Sequence, residues 1–337
     1  MKRLLLILLF AIAATAHAAQ TNAPPQNRAQ ATGGENLRVY LVTYGPGDVF
    51  WEKFGHNAIW VQDEALGYGV AYNWGMFSFR QPHFLARFLK GDMLYWMAGF
   101  DALQFDSIYI QENRSIWVQE LNLTPAQRAD IAHFMEWNSR EENKYYRYDY
   151  FRDNCSTRVR DAIDRATGGA LKRYLESTPT DETYRSHTQA LTYDQPPLYI
   201  GLMLAMGPRI DRPLTAWQES FIPMELREWA RKVKVRAPDG SEQPLVLSER
   251  TLYEAHDRAP VPQHAPGMIL VYTAIGFILG GLLLMFGVAA RKYPLVKPLL
   301  AILVGLWCLA VGAVGTIMEM LWSFTHHIVT YSNENVL

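Results

Sequence analysis

The chain has 337 residues, 49% hydrophobic and 19% charged, with 32 basic against 33 acidic side chains and a formal net charge of −1. That balance excludes a nucleic-acid binder, which would carry a concentrated basic surface. The 10 Trp, 18 Tyr and 15 Phe exclude a disordered chain, because they can bury a sizeable core.

Much of the apolar excess lies at the two ends, so the middle reads as an ordinary soluble domain. Residues 1–18 have the pattern of a signal peptide: Lys2 and Arg3, an apolar run over 4–14, and the small-x-small site Ala16-His17-Ala18. No Cys follows that site, so the chain is not itself a lipoprotein by that route. Residues 19–36, rich in Pro, Gln, Asn and Ala, read as a flexible leader. Apolar, β-rich segments follow near 37–44, 56–62, 67–74, 93–99 and 115–121. Thr124-Pro125-Ala126-Gln127 then opens a helix predicted over 124–140, a capping-box pattern with Pro at the first helical position.

A second helix is predicted from Cys155, since Val159, Ala162, Ile163 and Ala166 recur at helical spacing and Gly168-Gly169 supplies a stop. Further on, Lys232-Val233-Lys234-Val235 and Leu245-Val246-Leu247 flank Asp239-Gly240 as a hairpin, so 226–266 reads as a hairpin extension and linker with no assigned function. Residues 267–290 and 299–318 are uncharged stretches long enough to cross a bilayer. Arg291, Lys292 and Lys297 lie between them, and the positive-inside rule predicts that loop 291–298 is cytoplasmic. The domain before it is then outside, in agreement with the signal peptide, and 319–337 is expected to return there as a periplasmic tail.

Only two cysteines are present, Cys308 inside the second span and Cys155 in the exported domain, so no disulfide between them is expected. A lone exported thiol is either a buried, inert small residue or a nucleophile. Asp153 and Asn154 are N-cap types just before the helix, which predicts Cys155 in its first turn. There the helix dipole and free N–H groups can depress a thiol pKa into the neutral range and hold an oxyanion.

A thiol nucleophile wants a base. Of nine His, His17 leaves with the signal, His256 and His264 belong to the linker, and His326 and His327 follow the second span. His133 lies on the helix with Ile131, Phe134 and Met135 and reads as structural or solvated, while His83 and His187 have no distinctive setting. His56 follows a Gly and opens a strand-like run, a position that is structural or, beside a helix-N-terminal Cys, catalytic. With His56 ahead of Cys155 by about a hundred residues, the order is that of a circularly permuted papain-like enzyme.

The motifs Phe54-Gly55-His56-Asn57, Tyr72-Asn73-Trp74-Gly75, Phe88-Leu89-Lys90-Gly91 and Tyr148-x-Tyr150-Phe151-x-x-Asn154-Cys155-Ser156-Thr157-Arg158 resemble the Lnb N-terminal periplasmic domain, over roughly 37–225. The resemblance implies an α+β, circularly permuted papain-like (NlpC/P60-like) exported domain, akin to the lecithin–retinol acyltransferase branch, followed by two transmembrane helices. It implies a lipoprotein N-acyltransferase that moves an acyl chain from a phospholipid to the N-terminal amine of a diacylated lipoprotein at the bacterial inner membrane. Longer members continue with further membrane segments, so the end at Asn335-Val336-Leu337 reads as a truncation.

By this resemblance Cys155 is the nucleophile, His56 the base and Asn73 the residue that orients the imidazole. An Asn in a turn before Gly75 is an equal reading of Asn73, and Glu52 and Asp149 are weaker choices for that role. Lys90 and Asp92 read as an ordinary charge pair. Trp74, Phe77, Phe79, Phe84, Phe88, Tyr95, Trp96 and Phe100 form an aromatic stretch that can face lipid, although most are expected in the core. No cofactor is implied, and without H-E-x-x-H or C-x-x-C no metal site is expected. A cysteine peptidase or amidase on cell-wall peptides and a non-enzymatic envelope scaffold are the alternative functions.

Overall fold

A computed structural model of the chain describes residues 33–333. The predicted signal peptide, most of the predicted leader and the last four residues lie outside the described residues. At the centre is a seven-stranded sheet in the order β6-β4-β3-β2-β1-β5-β9, every neighbouring pair antiparallel. Its strands are β1 (Leu37–Tyr44), β2 (His56–Asp63), β3 (Tyr68–Met76), β4 (Leu94–Asp101), β5 (Ile116–Leu121), β6 (Tyr145–Arg147) and β9 (Val246–Tyr253). The first five coincide closely with the predicted segments, because each is rich in β-branched and aromatic residues and bounded by turn residues.

Alternation along the strands divides the core in two. Leu37, Val39, Leu41, Ile59, Val61, Tyr72 and Trp74 face one way and pack on Ile131 and Met135 of helix α3 (Pro125–Asn138) and on Val159 and Ile163 of helix α4 (Cys155–Ala166). Val159 and Ile163 are fully buried there, each contributing about 1.5–3 kcal/mol. Tyr44, Ala58, Trp60 and Ala71 face the other way, onto Phe105 and Tyr109 of helix α2 (Ala102–Gln111). Neither α2 nor the short helix α1 (Phe84–Lys90) follows from hydrophobic periodicity, since seven to ten residues with mixed aromatics make no clear stripe.

Behind α4, helices α5 (Ala170–Glu176), α6 (Tyr184–Thr192), α7 (Pro196–Ala205), α8 (Ala216–Glu219) and α9 (Pro223–Ala230) close the domain. Phe151, Leu191, Met206, Phe221 and Ile222 form a third cluster among them. The hairpin is present as β7 (Lys234–Arg236) and β8 (Glu242–Pro244), with Gly240 at φ 87° in its turn. The residues that follow do not extend it. They form β9, which pairs with β5 and completes the edge of the main sheet, with Glu249 bonded to Arg227 and Arg231.

Two helices close the described chain, α10 (Ile269–Lys292) and α11 (Val296–Phe324), both long and apolar enough to cross a membrane and unburied within the protein. At 1.5 Å per residue the shorter spans about 36 Å, against about 30 Å of hydrocarbon. The two helices pack against each other. The helices run further than the uncharged stretches: Arg291 and Lys292 form the last turn of α10 and Lys297 the first of α11. After α11 the chain docks back on the domain, with Gly207 N–H donating to Val329 O (2.8 Å) and the Asn333 amide to Leu204 O (2.7 Å). Cys155 and Cys308 are both free, one buried and one exposed.

Candidate active site

The site lies where β2 begins. Gly55 sits at φ 78°, and a Cβ there would come within 2.8 Å of the Tyr44 carbonyl oxygen, so the turn into β2 requires glycine. His56 follows, on the face of the sheet that carries α2. Its ring stacks on Tyr109 (centroids 6.2 Å apart, planes at 11°) and lies 5.9 Å from the Tyr44 ring. Tyr44 and Tyr109 stack on each other at 3.8 Å, and the Tyr44 hydroxyl donates to Asp106 Oδ1 at 2.7 Å.

Asn73, on the adjacent strand β3, is fully buried. Its Nδ2 donates to Ala71 O at 3.0 Å, which turns its Oδ1 toward His56 Nε2 at 3.0 Å. His56 therefore carries its proton on Nε2 and keeps Nδ1 as an acceptor. Asn73 stands inside a strand, not in the turn before Gly75. Burial pushes the imidazole pKa from 6.5 down to about 4; the Asn73 bond opposes this and the nearby Arg114 guanidinium adds to it. His56 is thus neutral at pH 7.

Arg114 is held by Gly45 O (2.9 Å) and Glu112 (3.2 Å), with Glu52 at 3.8 Å and its guanidinium 4.5 Å above the Tyr109 ring. Glu52 is spent on that ion pair. Asp149 accepts the Phe151 and Arg152 amides in its own turn. No contact of either with His56 is seen among the described residues.

Cys155 is the first residue of α4. Asn154 caps the helix, accepting from Thr157 N–H (2.9 Å) while Thr157 Oγ1 accepts from Asn154 N–H (2.8 Å). Asn154 Nδ2 also donates to Tyr150 O and Phe221 O. Asp153, the other predicted cap type, pairs with Arg158 instead. The backbone amides of Asn57, Ser156 and Cys155 itself favour the ionised form of the thiol.

The predicted fall in thiol pKa is not what the environment produces. These amides and Arg114 do favour the thiolate, but burial outweighs them and pushes the thiol above its ordinary value. The resting pair is a neutral thiol and a neutral imidazole.

The structure brings Asn73 onto the His56 ring directly, while Cys155 is linked to the strand of His56 through the backbone of Asn57, the residue after it. The Asn57 amide that favours the thiolate belongs to the peptide after His56, and the Asn57 side chain points to the opposite face of the sheet from the imidazole. There Asn57 Oδ1 accepts from Ser156 Oγ (2.8 Å) and Nδ2 donates to Thr43 Oγ1 (2.8 Å), while Ser156 Oγ also lies 2.7 Å from Ser220 O. A bulge in β3 between Asn73 and Met76 puts Gly75 at φ 97° beside the thiol; a Cβ there would lie 3.6 Å from Cys155 Cβ and 3.7 Å from the Tyr148 ring. From Tyr148 an aromatic series leads outward, Tyr148–Tyr95 (4.1 Å), Tyr95–Phe77 (5.2 Å) and Phe77–Phe79 (4.9 Å). Of the aromatic stretch, Trp74 and Tyr95 are core residues, while Phe79 is exposed.

Asn57, Tyr44, Tyr109 and Arg114 escaped the sequence reading. Strand alternation alone, applied to His56-Asn57, would have sent Asn57 toward the cysteine helix; nothing in the sequence marked Arg114.

The remaining histidines are elsewhere. His133 and His83 are exposed. His187 pairs with Glu219 at 2.9 Å, and His264 lies 3.4 Å from Glu182. Lys90 and Asp92 do not form a pair with each other: Asp92 meets Arg147 and His326. A cavity of about 360 Å³ lined by Gln189, Tyr199, Met268 and Tyr272 sits at the start of α10, against none of the three site residues. No cluster of three metal-ligating side chains occurs among the described residues.

Residues 25–190 match the family model for the Lnb N-terminal periplasmic domain. That segment contains His56, Asn73 and Cys155. No curated protein and no solved structure gives a significant match.

Proposed function

We propose, with residues 25–190 standing as an Lnb N-terminal periplasmic domain of a membrane protein, that the chain is a lipoprotein N-acyltransferase using Cys155 as nucleophile and His56 as base. The observation that carries the reading is the fixed tautomer of His56. Asn73 holds Nε2–H and leaves Nδ1 to take a proton, while the backbone amide of the very next residue favours the Cys155 thiolate.

In this mechanism His56 Nδ1 removes the Cys155 proton as the sulfur attacks the ester carbonyl of a phospholipid. The tetrahedral oxyanion forms near the amides at the α4 N-terminus. It collapses by breaking the ester C–O bond, and the imidazolium protonates the departing lysophospholipid oxygen. The free α-amine of a diacylated lipoprotein then attacks the thioester carbonyl, His56 accepts its proton, and the C–S bond breaks to give the amide. The thiolate recovers its proton from His56. Because both groups rest neutral, proton transfer accompanies attack; no standing ion pair is needed.

The fold proposed with this chemistry is the circularly permuted papain-like one: the Cys helix packs on an antiparallel sheet whose early strands carry the His and the Asn. Under the same reading the domain faces the periplasm at the inner membrane, and the turn between α10 and α11, with Arg291, Lys292 and Lys297, is cytoplasmic.

The test is intact-mass analysis after incubation with phospholipid vesicles, comparing wild type, Cys155→Ala and His56→Ala. An acyl adduct on wild type, absent from Cys155→Ala and discharged by a diacylated lipopeptide, is expected. An adduct that water or a cell-wall peptide discharges but the lipopeptide does not would replace the acceptor. No adduct, together with a thiol that resists alkylation in the folded protein, would leave a membrane-anchored scaffold.

A further inference from the structure

Helix α1 breaks the usual rule for a surface helix. Phe84 and Phe88 turn inward against the core, yet Leu85 and Leu89, one turn apart, point outward, Leu85 at 66% exposure. In water such a pair gains nothing from its position. The exposed apolar surface continues through Phe79, whose ring is 5.1 Å from Phe84, to Trp51 at 5.9 Å and Phe50 at 4.6 Å from Trp51. Phe50 and Trp51 are 50% and 42% exposed at the tip of the β1–β2 loop. The exposed aromatics Phe50 and Trp51, from a segment distant in sequence, thus meet α1 through Phe79 at Phe84, next to the outward Leu85.

Its place relative to the bilayer follows from α11. The chain leaving that span docks on the C-terminal end of α1: His326 N–H donates to Lys90 O (2.8 Å), His327 Nε2 lies 3.0 Å from Phe88 O, and His326 Nδ1 lies 2.9 Å from Asp92 Oδ1. The last turn of a membrane span and α1 are therefore at one level. Arg80, Arg87 and Lys90 are exposed around the patch, the charge that suits anionic headgroups.

We infer that α1, Phe79 and the Phe50-Trp51 tip form a monotopic contact with the bilayer surface beside α11, a third membrane attachment that presses the active-site face of the domain onto the lipid. Apolar side chains sink to the acyl boundary and the flanking cations stay with the phosphates, as in an interfacial helix. The patch also opens onto the Phe79–Phe77–Tyr95–Tyr148 series, which ends beside Gly75 and Cys155. Under the acyltransferase reading, on which this part alone rests, that series is the wall along which a donor chain reaches the thiol without crossing water.

The contact is tested on the full chain reconstituted in phosphatidylethanolamine–phosphatidylglycerol vesicles, in a Cys155→Ser, Cys308→Ser background. Single spin labels are placed through Leu85→Cys, Phe50→Cys, Asp239→Cys at the β7–β8 turn, and Phe277→Cys in α10. Labels at 85 and 50 should favour oxygen over a nickel chelate, as at 277, and differ from 239. Nickel access at 85 and 50 equal to that at 239 would overturn the contact.

With the native cysteines restored, Leu85→Glu combined with Leu89→Glu should slow adduct formation from vesicle phospholipid by about tenfold, with the unfolding midpoint in detergent unchanged. An undiminished rate would equally overturn it. If wild type forms no adduct at all, the acyltransfer reading falls, and the label depths alone decide the contact.

Discussion

Acidification should expose the cost of keeping His56 neutral. The imidazole falls from 6.5 to about 4 in the folded protein, whereas in the unfolded chain it titrates near 6.5. Above pH 6.5 both states are unprotonated and His56 contributes nothing. As pH falls below 6.5 the unfolded chain takes up a proton that the folded protein refuses, so stability drops until the folded group also titrates near pH 4. At 1.36 kcal/mol per pH unit the full drop is about 3 kcal/mol, of which about 2.5 kcal/mol is lost by pH 4.5.

The perturbation is His56→Gln, which cannot titrate, and the assay is equilibrium unfolding of both proteins at pH 7, 5.5 and 4.5. Taking the difference between the two proteins removes the other groups that titrate in this range. Among them, Asp106 is raised to about 6 by burial and moves stability the opposite way, its contribution present at low pH and lost as pH rises through 6. Wild type should lose ground to the variant as pH falls. A difference that stays constant from pH 7 to 4.5 would refute the reasoning, because it would mean the ring protonates in the fold as readily as in water.

Iodoacetamide should alkylate Cys155 of the folded protein slowly at pH 7 and ever faster past pH 9, because burial holds the thiol protonated; a rate plateau between pH 5 and 8 would instead mark a standing thiolate. Asn57→Ala breaks the bridge to Ser156 and Thr43 and should cost about 2–3 kcal/mol, read as a fall of several degrees in the thermal midpoint. A change below about 0.5 kcal/mol, the ordinary scatter of surface substitutions, would count against the bridge. Gly55→Ala meets both a positive φ and the Tyr44 carbonyl, so it should cost about 1–3 kcal/mol. Gly67→Ala, at φ 63° with open space around it, should cost less; equal losses would mean that the carbonyl contact at Gly55 carries no weight.

Strand alternation made β1 to β5 legible, and the two apolar runs made the paired helices α10 and α11 legible. What escaped has physical causes. Helix α1 is seven residues with Leu85 and Leu89 exposed beside Arg87 and Lys90, so a reading that assumes water on the outside finds no amphipathic stripe. Strand β9 pairs with β5 across more than a hundred residues, and its adjacent charges Glu249 and Arg250 read as linker until Arg227 and Arg231 are seen against Glu249. At the site, the caps around Cys155 were visible in Asn154, but the balance of amides against burial depends on what covers the sulfur. That cover comes from Gly75, Tyr148 and the start of β2, which no local window contains. The meeting of Asn73 with His56 rested on the family resemblance, since an Asn beside Trp74-Gly75 reads equally as a turn.

The carboxamide of Asn57 and the imidazole of His56, neighbours on opposite faces, also tell how the pairing of β2 with β1 is policed. A slip of one position would swap them, driving an imidazole against Ser156 and leaving the amide among the rings of Tyr44 and Tyr109. Purely aliphatic neighbours would tolerate such an exchange at modest cost, as Ile for Val. Here the Ser156–Asn57 bond works as a key cut for one lock: a misaligned strand would bury unsatisfied polar groups on both sides. The helix that opens at Cys155 thereby helps set the register of the strand that opens at His56.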